Sequence, residues 1–443
     1  MLRPNLLVFL ICLLLIALLN SCTKEEDTIY EENQETLNAL TRGHAVQNMV
    51  YKSSKKVVSD ITLLPSGDMT GVTDATAIEN AFASLPADGV VLFETGDFYL
   101  NREIVTTNFS GTILGSGNNE THIIGVVDGA TPFISNTLFN FRHPAGDLAI
   151  KNLSFLLSDG FKTDTEHSFG GFNLFSYISV GLTPTGSNTY FEDLHMTGTE
   201  TVAGSNPIIE FQPLEGVYVV GDQSEIPILS SGGNHLLTKC KFHKIGIQAT
   251  LYERMKNATI QVSNNVYTEV KQTIFRILDG CQVKITRNYL ETFAFGAIVI
   301  TQEGFAIDGE NSEVEISQNE VITQGYMPIE VGDIPAGFAG FNLLIEKNKL
   351  TNLGPFGDVF GNCAVIGIFP GTDGAIVKNN IIRGEASFGI LAATNGSTFK
   401  SNNLQVFTGY QTDYGIYGLS NNLIGTGNSS ITQGESDEFP GCF

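Results

Sequence analysis

The sequence contains no tryptophan, and it carries only 24 lysines and arginines against 47 aspartates and glutamates. Without Trp, aromatic stacking beside a polar group falls to tyrosines such as Tyr252, Tyr326, Tyr410 and Tyr414. The formal net charge of −23 argues against nucleic acid as a partner. Cysteine is scarce, six in 443 residues, and the spacing fits no zinc pattern. Gly115 and Gly117 are not followed by Gly-Lys-Thr/Ser, so they read as turn glycines and not as a phosphate loop. Long apolar runs are absent outside Leu6 to Leu19, and a plain transmembrane helix needs about 20 apolar residues.

That apolar run follows Arg3 and ends in Leu19-Asn20-Ser21-Cys22. Residues 1–21 therefore resemble a bacterial lipoprotein signal peptide. The resemblance implies a lipid on Cys22 and attachment to a membrane; each buried methylene would contribute ~0.8 kcal/mol. An uncleaved anchor and an ordinary secretory signal are the alternatives. Lys24-Glu25-Glu26-Asp27 is either a solvated charge run or, by its similarity to the acidic tags of exported Gram-negative lipoproteins, a mark of outer-membrane placement on the outer surface. Residues 22–60 are polar, lack period-2 patterning and read as a tether.

What the chain has in abundance is glycine, 47 residues, and a recurring short pattern. Aliphatic residues alternate with polar ones and lead into Asn, as in Ile260-Gln-Val-Ser-Asn-Asn265 and Val314-Glu-Ile-Ser-Gln-Asn319. The final asparagines are Asn265, Asn288, Asn319, Asn348, Asn380, Asn403 and Asn422, which lie 23, 31, 29, 32, 23 and 19 positions apart. Repeats of roughly 20–50 residues indicate stacked coils. Period-2 side chains give each segment one inward face, which one coil cannot bury alone but a stack can. Asn suits the corners because it tolerates the left-handed conformation and its amides can form a ladder. A second strand recurs once per coil, for example Gly296-Ala-Ile-Val-Ile-Thr301 and Phe388-Gly-Ile-Leu-Ala-Ala393.

Over residues 65–430 this pattern resembles the right-handed parallel β-helix superfamily, whose best-known members are pectate-lyase-like. The fold expected is all-β: a single right-handed parallel β-helix over residues 61–432, with a short N-terminal capping helix and an acidic tail, 433–443. The helix is expected over Ala77–Leu85, with Thr76 and Glu79 as a capping box. It would cover the open first coil. Long insertions lie at 159–171, 181–188 and 198–233, and such loops on a rigid scaffold commonly carry ligand contacts. Cys240 and Cys281 read as buried thiols, and an oxidising compartment would allow a Cys363–Cys442 disulfide.

Candidate chemistry follows charge. Lys239, Lys241, Lys244, Arg254, Lys256, Lys271, Arg276, Lys284 and Arg287 crowd one stretch against Glu253, Glu269 and Asp279, a local excess of positive charge in an acidic chain. Arg254 and Arg276 lie 22 positions apart, close to one repeat, and alternation turns Arg276 outward between Phe275 and Ile277. Such a stripe would suit an acidic, uronate-containing polysaccharide, because bidentate Arg fits carboxylates. In a lyase, Arg276 and Arg254 would neutralise the uronate carboxylate while His243, Lys241 or Lys271 took the C5 proton, ending in β-elimination. The bland alternative is an inter-coil ion pair between Glu253 and Arg276.

Family motifs are missing. None of Asn-Thr-Asp, Asp-Asp, Gly-His-Gly or Arg-Ile-Lys of galacturonan hydrolases occurs. Arg142-His-Pro144-Ala-Gly-Asp147 ends in Asp where pectate lyases carry Arg. No cofactor is expected, and calcium is unsupported. Asp164/Glu166 and Glu192/Asp193 are the acid pairs a glycosidase could use. The expected function is a surface-anchored protein acting on or binding an acidic polysaccharide; the alternative is a non-catalytic adhesive or structural lipoprotein.

Overall fold

The computed structural model describes residues 60–435 apart from 128–132, 134, 162–167, 170–171, 174, 183–186, 201–210, 213–214, 222–231, 294, 303–311, 333–340, 355–363, 370–371, 408–413, 419–422, 425 and 429–432. The expectations for the signal peptide, Cys22, most of the tether, Asp164/Glu166, Tyr410, Cys363, Cys442 and the end of the tail lie outside the described residues.

Strand pairing is parallel between successive coils and sorts the strands into three sheets. The first runs from Asp60–Leu63 through Gly89–Phe93, Gly111–Gly115, Asn234–Thr238, Thr259–Ser263, Gln282–Thr286 and Glu313–Ser317 to Leu423–Ile424. The second contains Gly96–Leu100, Thr121–Gly125, Tyr289–Phe293 and Asn403–Phe407, with the middle coils supplied by halves of longer strands. The third runs from Ile104–Thr107 through Ser176–Gly181, Glu215–Val220, Ile298–Gln302, Ile329–Gly332 and Ala364–Ile368 to Tyr414–Gly418 and Gln433–Glu435. The last rung thus lies in the stretch expected to be tail.

Alternation does what the pattern requires. Val262, Ile285, Ile316, Ile345, Val377 and Phe399 pair in register and are all buried, forming one apolar row along the stack. Aromatic rings stack the same way: Phe242 on Tyr267 at 4.8 Å and Tyr252 on Phe275 at 5.7 Å. Cys240 and Cys281 are buried free thiols, and burial pushes them up to about 12 and about 11.

The Asn ladder is real but shifted at its end. It comprises Asn265, Asn288, Asn319, Asn348, Asn380, Asn402 and Asn428, so Asn402 and Asn428 take the places expected for Asn403 and Asn422. The left-handed residue is not the ladder Asn either. It is the residue before it: Asn264, Arg287, Gln318, Lys347, Asn379 and Ser401 all have φ between 55° and 58°. A corner residue turns the chain, and the next one sends its amide along the axis.

The capping helix α1 spans Val72–Ser84, one turn earlier than expected. Thr76 does not cap it; its hydroxyl donates to the Val72 carbonyl, while Glu79 pairs with Arg102. Asp68 instead accepts from the backbone N–H and hydroxyl of Thr73. Ala75, Ile78, Ala81 and Phe82 face inward, and Phe82 packs on Phe109 at 4.8 Å to close the stack.

Candidate functional site

The connections distinguish the three sheets. Between first and second sheets the chain turns in a tight corner, as at Ser263 to Val266, Thr286 to Tyr289 and Ser317 to Glu320. Six long connections, 158–175, 198–214, 221–233, 303–312, 333–341 and 353–363, adjoin the third sheet, whereas 64–88, which carries the helix, joins two strands of the first. Long insertions on a rigid scaffold commonly carry ligand contacts, which directs attention to this sheet.

On that face Tyr218, Leu251, Ile274 and Val299 form one row in register, each on the next coil, and pack as a small apolar cluster. Beside it stand Glu253 and Arg276. Arg276 is outward, because Phe275 and Ile277 are fully buried. Its Nη1 lies 3.1 Å from Glu253 Oε1, and the Tyr218 hydroxyl donates to Glu253 Oε2 at 2.5 Å. Glu253 is only 14% exposed, so its two donors replace water.

Glu215, on the neighbouring coil and level with Ser176 and Gln248, completes the cluster. Burial is the largest influence on it, followed by repulsion from Glu253; with Arg276 opposing, the carboxyl is raised to about 7. Glu215 therefore keeps its proton through most of the acidic range, beside a carboxylate that is already bonded as an anion. Burial and the hydrogen bond to Glu253 hold the Tyr218 phenol well above its ordinary value, so it is a donor.

Arg276 reaches Glu253 across coils and Arg254 follows Glu253 in the chain, while Lys241, His243 and Lys271 lie elsewhere. Arg254 has φ of 55° beside Glu253, and its positive charge reaches Tyr218. Lys241 and His243 lie on the second sheet, level with His195 and Thr197. There His243 Nδ1 meets the Thr268 hydroxyl at 3.0 Å, and its Nε2 lies 3.8 Å from Glu269. Lys271 is fully buried, with Nζ 5.3 Å from the Phe293 ring centre and 5.9 Å from that of Phe295. Glu192 is bridged by Lys151 and Lys239, whose hydrogen bonds outweigh burial and lower its carboxyl.

Sequence reasoning missed Glu215 and Tyr218. Their only signal is a strand, Glu215-Gly-Val-Tyr-Val-Val220, between two long insertions. Among the described residues no group of three or more His, Cys, Asp or Glu is placed to hold a metal ion.

The family described as right handed beta helix region matches residues 224–406. No curated protein matches the chain. Among solved structures, the A-modules of the mannuronan C-5 epimerases AlgE6 and AlgE4 of Azotobacter vinelandii are 13% and 11% identical, each with a TM-score of 0.49. The matches cover 82% and 84% of this chain and 96% and 93% of theirs. The catalytic unit of a GH87 alpha-1,3-glucanase from Streptomyces thermodiastaticus strain HF3-3 is 13% identical at a TM-score of 0.44, covering 86% of this chain and 72% of that one. At such identities the likeness concerns fold alone. With its parallel coils paired in register and the family match over residues 224–406, the chain adopts the right-handed parallel β-helix fold.

Proposed function

We propose that the chain processes a polysaccharide on the outer face of its third sheet, around Glu215, Tyr218, Glu253 and Arg276. One observation carries this reading: on the sheet that six long connections adjoin, the Glu253 carboxylate is only 14% exposed and held by Arg276 at 3.1 Å and by the Tyr218 hydroxyl, with Glu215, its carboxyl raised by burial and by Glu253, on the neighbouring coil. Glu215 serves as the acid that protonates a glycosidic oxygen. Glu253 is the carboxylate that activates water or meets the developing positive charge.

A second reading, β-elimination on a uronate polymer, is favoured by the two arginines that flank Glu253, Arg276 through its ion pair and Arg254 as the next residue in the chain. A substrate carboxylate would compete with Glu253 for Arg276, and Glu215 without its proton would take the C5 proton. The lipid anchor expected at Cys22 belongs to the same proposal, holding the protein at the outer surface of a bacterial outer membrane.

The test is a screen of neutral and uronate-containing polysaccharides, reading both new reducing ends and the ultraviolet absorbance of unsaturated uronates. Reducing ends without absorbance support hydrolysis, and both together support the lyase. Glu215→Gln should lower either rate about 10²–10⁴-fold. Retained polymer binding with no product from any substrate overturns catalysis and leaves a glycan-binding surface protein.

A further inference from the structure

The outer face of the second sheet carries a row the proposed site does not use. Asp97, His122, Ser154, His195 and Lys241 occupy the same level on five successive coils, each in register with the next. All five turn outward, because their neighbours Phe98, Ile123, Phe155, Leu194 and Phe242 fill the core. His122 Nδ1 lies 2.8 Å from Asp97 Oδ1, and Ser154 is on the opposite side of His122 from Asp97. The order acid, imidazole, hydroxyl is the one in which a carboxylate fixes the ring so that its other nitrogen faces a serine.

We infer that this row is a second reaction centre, an acyl-transfer site that hydrolyses small acyl esters, with Ser154 as nucleophile, His122 as base and Asp97 as its positioning residue. Asp97 holds Nδ1–H, which leaves Nε2 as the proton acceptor. Ser154 Oγ bonds to the acyl carbon as its proton passes to His122. His195 and Lys241, beyond Ser154, donate to the oxyanion. The C–O bond to the alcohol then breaks, and His122 returns the proton to the departing oxygen. Water repeats the sequence on the acyl-serine and releases the carboxylic acid. Burial, with help from Lys241, lowers His195 to about 4, so it meets the oxyanion as a neutral N–H donor at neutral pH.

At rest the centre is closed. Ser154 is 4% exposed and its hydroxyl donates to the Asn118 carbonyl. The Asn118 side chain donates in turn to Asp193 Oδ1 at 2.5 Å, pinning the Ser116–Glu120 turn over the serine. Release of that turn frees the hydroxyl to donate to His122. A small acyl group suits a nucleophile set between two imidazoles.

The experiment treats the whole chain with a fluorophosphonate probe and, separately, with 4-nitrophenyl acetate. The expected result is a label on the peptide containing Ser154 and ester hydrolysis that Ser154→Ala or His122→Ala lowers about 10²-fold or more. Asp193→Ala should be labelled faster than the wild type, and Glu215→Gln should keep full esterase activity, which separates this site from the one on the third sheet. Wild-type protein that neither labels nor hydrolyses the ester, a label on a different serine, or unchanged labelling in His122→Ala would each overturn the inference.

Discussion

Asn319 Oδ1 accepts both the backbone N–H and the side-chain amide of Asn288, each at 3.0 Å. In the same way Asn319 donates its backbone N–H and its side-chain amide to Asn348 Oδ1, and Asn348 donates both to Asn380 Oδ1. Asn319 also donates to the Ile285 carbonyl at 2.8 Å, and it is buried. Replacing it with Ala leaves the Asn288 backbone N–H on the preceding coil without its acceptor, at a cost of roughly 1–3 kcal/mol for each buried unsatisfied group. Asn319→Ala should unfold at markedly lower urea concentration than wild type, whereas Arg287→Ala, one residue removed from the next ladder Asn, should shift the midpoint little. Equal, small shifts would mean that the ladder contributes no more than the surface corner.

Glu215 binds its proton more tightly folded than unfolded, since its carboxyl is raised from 4.5 to about 7. Between those values the folded state holds more protons, so this group's contribution to stability falls as pH rises and is fully lost above about 7. His195 and His235, both lowered to about 4 by burial, act in the opposite sense: their contribution rises with pH between 4 and 6.5. The difference between wild type and Glu215→Gln isolates the glutamate. Thermal melts from pH 4.5 to 7.5 should show wild type losing ground relative to the variant across that window, and a flat difference would contradict the raised carboxyl.

Removing Arg276 alone strands Glu253 at low exposure. Arg276→Met should destabilise by ~1–3 kcal/mol, and the double variant Arg276→Met with Glu253→Gln should recover part of that loss. On any polysaccharide turned over by the wild type, neither protein should regain activity. Recovery of activity in the double variant would show that the pair is only structural.

Cys22 lies outside the described residues, so its role rests on the residues around it. Radiolabelled fatty acid should be incorporated by the wild type and not by Cys22→Ala, and the variant should leave the membrane fraction. Label retained by the variant would refute lipidation at this position.

The stack of coils was legible because each coil solves the same problem with the same residues. Ile285, Ile316 and Ile345 alternate with polar neighbours whatever the loops between them do, and one Asn per coil marks the corner. The exact asparagine was less legible near the end. Asn402 and Asn403 are adjacent, and only backbone geometry decides which amide points along the axis. Helix α1 starts at Val72, five residues before Ala77, behind Gly71, whose φ of 80° turns the chain into it, while Asp68 accepts from the Thr73 N–H in the first turn.

By itself the sequence determined the fold, its length and the alternation that turns Arg276 outward, because these depend on spacing within a few residues. The tertiary structure decided which outward residues share a sheet. Coils of unequal length bring Glu215, Glu253 and Arg276 to one face while placing Lys241 and His243 on another and sealing Lys271 inside. The same stacking aligned Asp97, His122 and Ser154, which lie 25 and 32 positions apart and carry no common motif. Proximity across coils is set by insertion lengths and backbone register, which no local pattern of residues records.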